Sequence, residues 1–196
     1  MLRGLFLSLL VFGLLACNGG GGKSEFRGTD ITGADFGRKL SLTDHNGRHV
    51  TLETFRGKLV VLFFGYTHCP DVCPTTLSDL AQAFKLMAPE DAAKVQVLFV
   101  TVDPERDTPQ VLKAYVPYFH PSFLGLYGTP VETAATAKEF RITYRKHVEP
   151  GASDYLVDHS AGSYVLDANG RMRLYLPFGD LPKDIAHDLT TLLHER

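Results

Sequence analysis

The sequence predicts an α/β domain around a largely buried central sheet. Three observations carry that prediction. Leu59 to Phe64 and Lys94 to Val102 contain continuous apolar runs, as strands covered on both faces do. Each run is followed by a helical signal: Leu77, Leu80, Ala81, Phe84 and Met87 recur at helical spacing after the first, and Thr108-Pro109 offers a cap and a first-turn proline after the second. The chain closes with two short strand candidates about Ala168-Asn169-Gly170 and an apolar stripe, Ile185, Leu189, Leu192 and Leu193, on a last helix.

The remaining elements follow in order. Residues 23–38 are polar and weakly patterned and read as a linker. Lys39 to Thr43 and Arg48 to Leu52 flank Asp44-His45-Asn46-Gly47, whose Asn-Gly pair signals a hairpin turn. Phe55 to Lys58 is a turn, and Leu59 to Tyr66 is the first central strand. Pro89 ends the helix after it; Pro117 ends or kinks the next one. Phe123 to Tyr127 is a short strand. Thr129-Pro130-Val131-Glu132 has capping-box spacing and opens a helix to about Phe140. Ile142 to His147 reads as extended, Glu149 to Asp158 as a loop, and Ser163 to Asp167 with Met172 to Leu176 as the closing hairpin. Strand, helix, strand, helix, hairpin and helix make a thioredoxin-like plan, here with an added N-terminal β-hairpin.

The N-terminus reads as an export signal. Arg3 supplies positive charge, and Leu5 to Leu15 is apolar but short for a membrane span. Leu14-Leu15-Ala16-Cys17 resembles the lipobox of bacterial lipoproteins, which implies cleavage before a lipidated Cys17. The chain then divides into a signal peptide (1–16), a lipidated tether and linker (17–38) containing Gly19 to Gly22, and a folded domain (39–196) on the extracytoplasmic, periplasmic side of a membrane.

A net charge of −2 over 196 residues, with no basic stripe, gives no footprint for nucleic acid. Of three cysteines, lipidation of Cys17 leaves Cys69 and Cys73 in the body. They occupy Gly65-Tyr66-Thr67-His68-Cys69-Pro70-Asp71-Val72-Cys73-Pro74, where a buried strand turns into a helix. Helix N-termini offer unpaired N–H groups and partial positive charge, both favouring thiolate. A disulfide here would close a very small loop and add little entropic stabilisation. Reversible disulfide chemistry and a soft metal ion both fit.

Three stretches in order, the cysteine segment, Val102-Asp103-Pro104-Glu105-Arg106-Asp107-Thr108-Pro109 and Val157-Asp158-His159-Ser160, resemble the Sco/SenC family of copper proteins, which serve assembly of the CuA centre of cytochrome c oxidase. The resemblance runs from about Leu40 to the C-terminal helix. It implies copper ligands at Cys69, Cys73 and His159 and a characteristic aspartate at Asp103. The donor types agree with that, because copper(I) favours thiolate and accepts imidazole. Two thiolates and a neutral imidazole leave a copper(I) site at −1 and a copper(II) site neutral, and three ligands leave a position open for transfer. Asp158 is a candidate to orient the His159 ring. Asp103 could orient a ligand, repel a wrong anion or cap the turn at 103–107. His68 and Asp71 read as loop-shaping or partner-facing. Glu105, Arg106 and Asp107 read as a solvated charge cluster, and His45, His49, His120, His147, His187 and His194 as ordinary surface residues. The resemblance implies a membrane-tethered copper chaperone that carries copper(I) or copper(II) to oxidase subunit II, with other copper chaperones or thiol reductants as further partners. The alternative is a thiol–disulfide reductase that keeps client cysteines reduced. Thr67 and Arg56 match no peroxide-reducing motif.

Overall fold

A computed structural model describes residues 26–148, 150–151 and 154–195. The stretch expected to be an export signal and lipobox, with Cys17, lies outside the described residues. Chain order is β1 (Thr29–Asp30), β2 (Ser41–Asp44), β3 (His49–Thr51), a 3-10 turn (Leu52–Phe55), β4 (Leu59–Gly65), α1 (Val72–Leu86), α2 (Pro89–Ala92), β5 (Val95–Thr101), α3 (Pro109–Phe119), β6 (Leu124–Tyr127), α4 (Pro130–Glu139), β7 (Tyr144–His147), β8 (Leu156–His159), β9 (Ser163–Leu166), β10 (Met172–Leu176) and α5 (Pro182–His194). No described helix is long and apolar enough to cross a membrane.

Eight strands form one sheet in the order β1-β10-β9-β4-β5-β6-β2-β3. The two apolar runs become its centre: β4 and β5 are parallel, with Leu62 opposite Leu98 and Gly65 opposite Thr101. Every residue of both strands is buried. That explains why neither run alternates, since helices cover both faces. β9 joins the other side of β4 antiparallel, and the predicted N-terminal hairpin extends the far edge by pairing β2 with β6. Asp44 closes its turn by accepting from the backbone N–H groups of Asn46 and Arg48.

The helix signals hold locally. Thr108 Oγ1 accepts from Val111 N, and Thr129 with Glu132 forms the capping box. The prolines fall as follows. α1 ends at Leu86, and Pro89 begins the short α2. Pro117 lies inside α3, which continues to Phe119. His45 is not at the surface: it is buried, its Nδ1 accepts from Gly125 N at 3.0 Å, and burial lowers its pKa. His120 packs its ring against Phe84 and Phe123.

The linker reading of residues 23–38 fails from Phe26 onward. β1 adds to the sheet edge against β10, with Thr29 opposite Tyr175. The fully buried Asp188 of α5 accepts from Arg27 N at 2.8 Å and Gly28 N at 2.7 Å. A carboxylate receiving two main-chain N–H groups fixes a segment whose own side chains have no pattern to reveal it. Asp188→Ala is expected to lower unfolding stability by about 2 kcal/mol, because it strands two donors. Urea denaturation measures the loss, and proteolysis should then cut before Ile31 faster than in the wild type.

Candidate metal centre

The site begins with the close approach of a sulfur to a main chain. β4 ends at Gly65, and the fully buried Cys73 lies in the first turn of α1. A Cβ added at Gly65 would lie 2.8 Å from Cys73 Sγ and 2.8 Å from the Phe99 ring. Only glycine leaves room for the sulfur there. Cys69, half-buried, stands before the helix, and Cys73 N donates to its Sγ at 3.3 Å. The Asp71 N–H also points at it. The helix start therefore supplies the main-chain donors that the sequence predicts.

His159 reaches the same place from the other side. It ends β8, which pairs with β7 as a separate two-stranded sheet, so residues 156–159 are strand and not the predicted loop. Its Nε2 is 3.3 Å from Cys73 Sγ, and its Nδ1 is 2.9 Å from the Ser160 carbonyl oxygen. A neutral ring that donates Nδ1–H to that carbonyl leaves the Nε2 lone pair toward the sulfurs, the form a metal ligand needs. The edges of Phe63 and Tyr66 flank the imidazole, with centroids 6.1 and 5.9 Å away. The three donor atoms all lie within 4.8 Å of one another, which makes this the Cys-Cys-His cluster found among the described residues.

The pair of sulfurs is electrostatically unequal. Hydrogen bonding from Cys73, aided by His159 and the backbone donors, pulls the Cys69 thiol down to about 4. Its bond to Cys69, burial and the charge beside it push Cys73 up. At neutral pH the metal-free pair is one thiolate and one thiol. A groove of about 240 Å³, lined by Tyr66, Cys69, Val72, His147, Val157 and His159 among others, opens on it. A larger cavity, about 580 Å³, is elsewhere: Arg56 and Asn169 place it beside the start of β4, the opposite end of the strand from Gly65. Size yields to chemistry here, because the donors are at the smaller groove.

The other candidates are placed as follows. Asp158 does not orient the ring. Its carboxylate lies 3.7 Å from Arg145 and 3.3 Å from His147, because neighbouring residues on a strand face opposite ways. Asp103 is fully buried and neither touches the donors nor caps its own turn through its side chain. It accepts from Arg106 Nε and, at 2.9 Å, from Tyr155 Oη. His68 is exposed and Asp71 precedes α1, accepting from Thr75 Oγ1, as loop-shaping residues do. The solvated-cluster reading of residues 105–107 holds only for Glu105. Arg106 is 15% exposed at its side chain, and Asp107 is buried. Sequence reasoning missed Asp107: it accepts from Thr67 N, Thr67 Oγ1 and Thr101 Oγ1, and so fixes the start of the cysteine loop. Burial raises its pKa against the pull of those bonds.

Alkylation tests the thiol asymmetry. Because the folded pKa of Cys69 lies below that of a free thiol, its thiolate is present well below neutrality and is lost only as pH falls toward about 4. Iodoacetamide should modify Cys69 at a nearly constant rate from about pH 8 down to about pH 6, whereas a free thiol slows about a hundredfold. Cys73 should resist until the protein unfolds. Mass spectrometry of quenched samples reads both sites.

A SCO1/SenC family model matches residues 28–194. The SCO2-like protein of Rickettsia felis is 35% identical over 152 residues, covering 76% of this chain and 73% of that protein. The mitochondrial protein SCO2 of Saccharomyces cerevisiae is 41% identical over 137 residues, covering 69% of this chain and 45% of that protein. The chain spans about half the length of such mitochondrial relatives. The structure of Bradyrhizobium japonicum ScoI with copper bound superposes with a TM-score of 0.74 at 40% identity, over 81% of this chain and 99% of that one. That neighbour holds copper, and the Cys-Cys-His donors of this chain are soft and borderline types that suit such an ion; the superposition supports the thioredoxin-like α/β fold. The chain belongs to the SCO1/SenC family.

Proposed function

We propose that this protein is an extracytoplasmic copper chaperone that carries the ion on Cys69, Cys73 and His159 and passes it to the CuA site of cytochrome c oxidase subunit II. One observation carries the reading: two sulfurs and an imidazole nitrogen from distant parts of the chain converge within 4.8 Å. Two soft donors and one borderline donor suit both copper oxidation states. A set of three with a groove beside it leaves the metal approachable, unlike a closed four-ligand structural site. In this reading copper is cargo, and loading requires Cys73 to give up its proton. Membership of the family supports the oxidase as destination. The Leu-Leu-Ala-Cys17 sequence supports a lipid anchor at Cys17, with the domain held outside the cytoplasmic membrane.

A second reading has its own observation. A half-exposed thiolate at Cys69 beside a buried thiol at Cys73 is the arrangement in which the first sulfur attacks a client disulfide and the second resolves the mixed disulfide. The client leaves as a dithiol, Cys69 and Cys73 leave as a disulfide, and a thiol reductant must restore them. The client would be the CuA ligand cysteines.

Metal analysis of the reduced and the oxidised domain separates these roles. The chaperone reading expects one copper per chain after reduction and none after Cys69 and Cys73 are oxidised. His159→Ala should weaken copper(II) by at least about tenfold and change its spectrum. Undiminished affinity with an unchanged spectrum in that variant rules out the ligand assignment. Reduction of a client disulfide at wild-type rate by His159→Ala would support the reductase instead. Cys17→Ser should abolish fatty-acid labelling and release the protein from membranes; an unaltered membrane fraction overturns the anchor.

A further inference from the structure

We propose that Arg106 is the positioning residue of His159: it clamps the β7–β8 hairpin onto the body of the domain and thereby sets the imidazole against the two sulfurs. The inference rests on the reading of His159 as a ligand and names what holds it in place.

The hairpin needs such a clamp. β7 and β8 pair with each other and with no other described strand. Of their eight residues only Val157 is buried. A two-stranded hairpin with so little apolar burial is marginal on its own. His159 touches Cys73, Phe63 and Tyr66 at the strand's end, and the hairpin's polar connection to the body runs through the segment between β5 and α3. Arg106 Nη1 donates to Asp154 Oδ2 and to the Tyr155 carbonyl oxygen, both at 2.9 Å. The guanidinium lies 3.6 Å from the Tyr155 ring centroid and 5.7 Å from that of Tyr66, so it sits between a ring of the hairpin and a ring of the cysteine segment. Asp103 braces both partners by accepting from Arg106 Nε and Tyr155 Oη. Lys146 of β7 adds a bond to Glu105 at 2.6 Å.

The same short segment also holds the sulfurs. Asp107, the next residue, accepts from Thr67 N and Oγ1 two residues before Cys69. Residues 103–107 therefore grip the cysteine loop with one side chain and the histidine hairpin with its neighbour. The separation of sulfur and nitrogen is fixed by that bracket. Arg106 is little exposed and Asp103 fully buried, so solvent does not screen the pair as it would at an open surface. Lysine would keep the charge but lose the planar fork and the stacking.

Two measurements test the proposal on the full domain. Hydrogen exchange on the metal-free protein should show Leu156–His159 amides exchanging at least about tenfold faster in Arg106→Ala, with β4 and β5 unchanged. Copper(II) release to a chelator should also quicken at least about tenfold in Arg106→Ala, be partly restored by Arg106→Lys, and show no further effect of Arg106→Ala in a His159→Ala background. Should Arg106→Ala fail to fold, Tyr155→Leu removes the ring and hydroxyl from the hairpin side and is expected to give the same pattern. Wild-type exchange in the hairpin of a folded variant overturns the proposal, as does an equal effect on release with and without His159. A wild type that holds no copper would defeat the chaperone reading alone, because hydrogen exchange still decides whether Arg106 holds the hairpin.

Discussion

The packing of the Cys73 sulfur against the bare backbone of Gly65 ties the end of β4 to the first turn of α1, and the rest of the site is arranged around that contact. With the sulfur only 2.8 Å from where a methyl would stand, the helix cannot rotate or slide without opening a void or a clash. The fixed helix start then aims its first amides at Cys69. Core packing, helix polarity and thiol ionisation are thus one chain of causes. β4 can bear it because all seven of its residues are buried between parallel β5 and antiparallel β9.

The polar network beside the sulfurs stabilises a geometry more than it stabilises the fold. Asp107 is a buried acid whose desolvation is only partly offset by its bonds to Thr67 and Thr101. Replacing such a group with well-packed apolar atoms is often neutral or favourable for stability. What apolar atoms do not supply is direction: three bonds to named donors hold the cysteine loop in one place. Its bond to Cys69 and its burial favour the protonated form of Cys73, and the nearby charges of Cys69 and Asp107 add to that.

The sequence showed the elements whose physics is local. Continuous apolar runs, Thr-Pro caps and Asn-Gly turns named the central strands, the longer helices and both predicted hairpins, and the resemblance of three stretches to the Sco/SenC family named the donors. It did not show what depends on distant partners. β1 is two residues long, and its anchor is Asp188, some 160 positions away. β8 was hidden because a short half-exposed strand lacks both an apolar run and a clear alternation. Glu105, Arg106 and Asp107 look alike as a charged triplet, yet the turn sends one outward and two inward. Asp158 was suggested by adjacency to His159, and strand geometry sends adjacent side chains to opposite faces.

The donors also differ in what holds them. The Cys73 sulfur belongs to a junction fastened by the core and Cys69 stands on the loop beside it, whereas the nitrogen rides on a hairpin fastened by Arg106, Lys146 and their partners and by the ring contacts of His159. Local stability is not uniform in a folded chain, and small elements with few apolar contacts open at the lowest cost. For the carrier role proposed above, exchange of ligands is easiest if one donor can leave while the others keep the ion. Moving His159 disturbs a two-stranded sheet, while moving Cys73 disturbs the junction of β4 and α1 on which the domain is built.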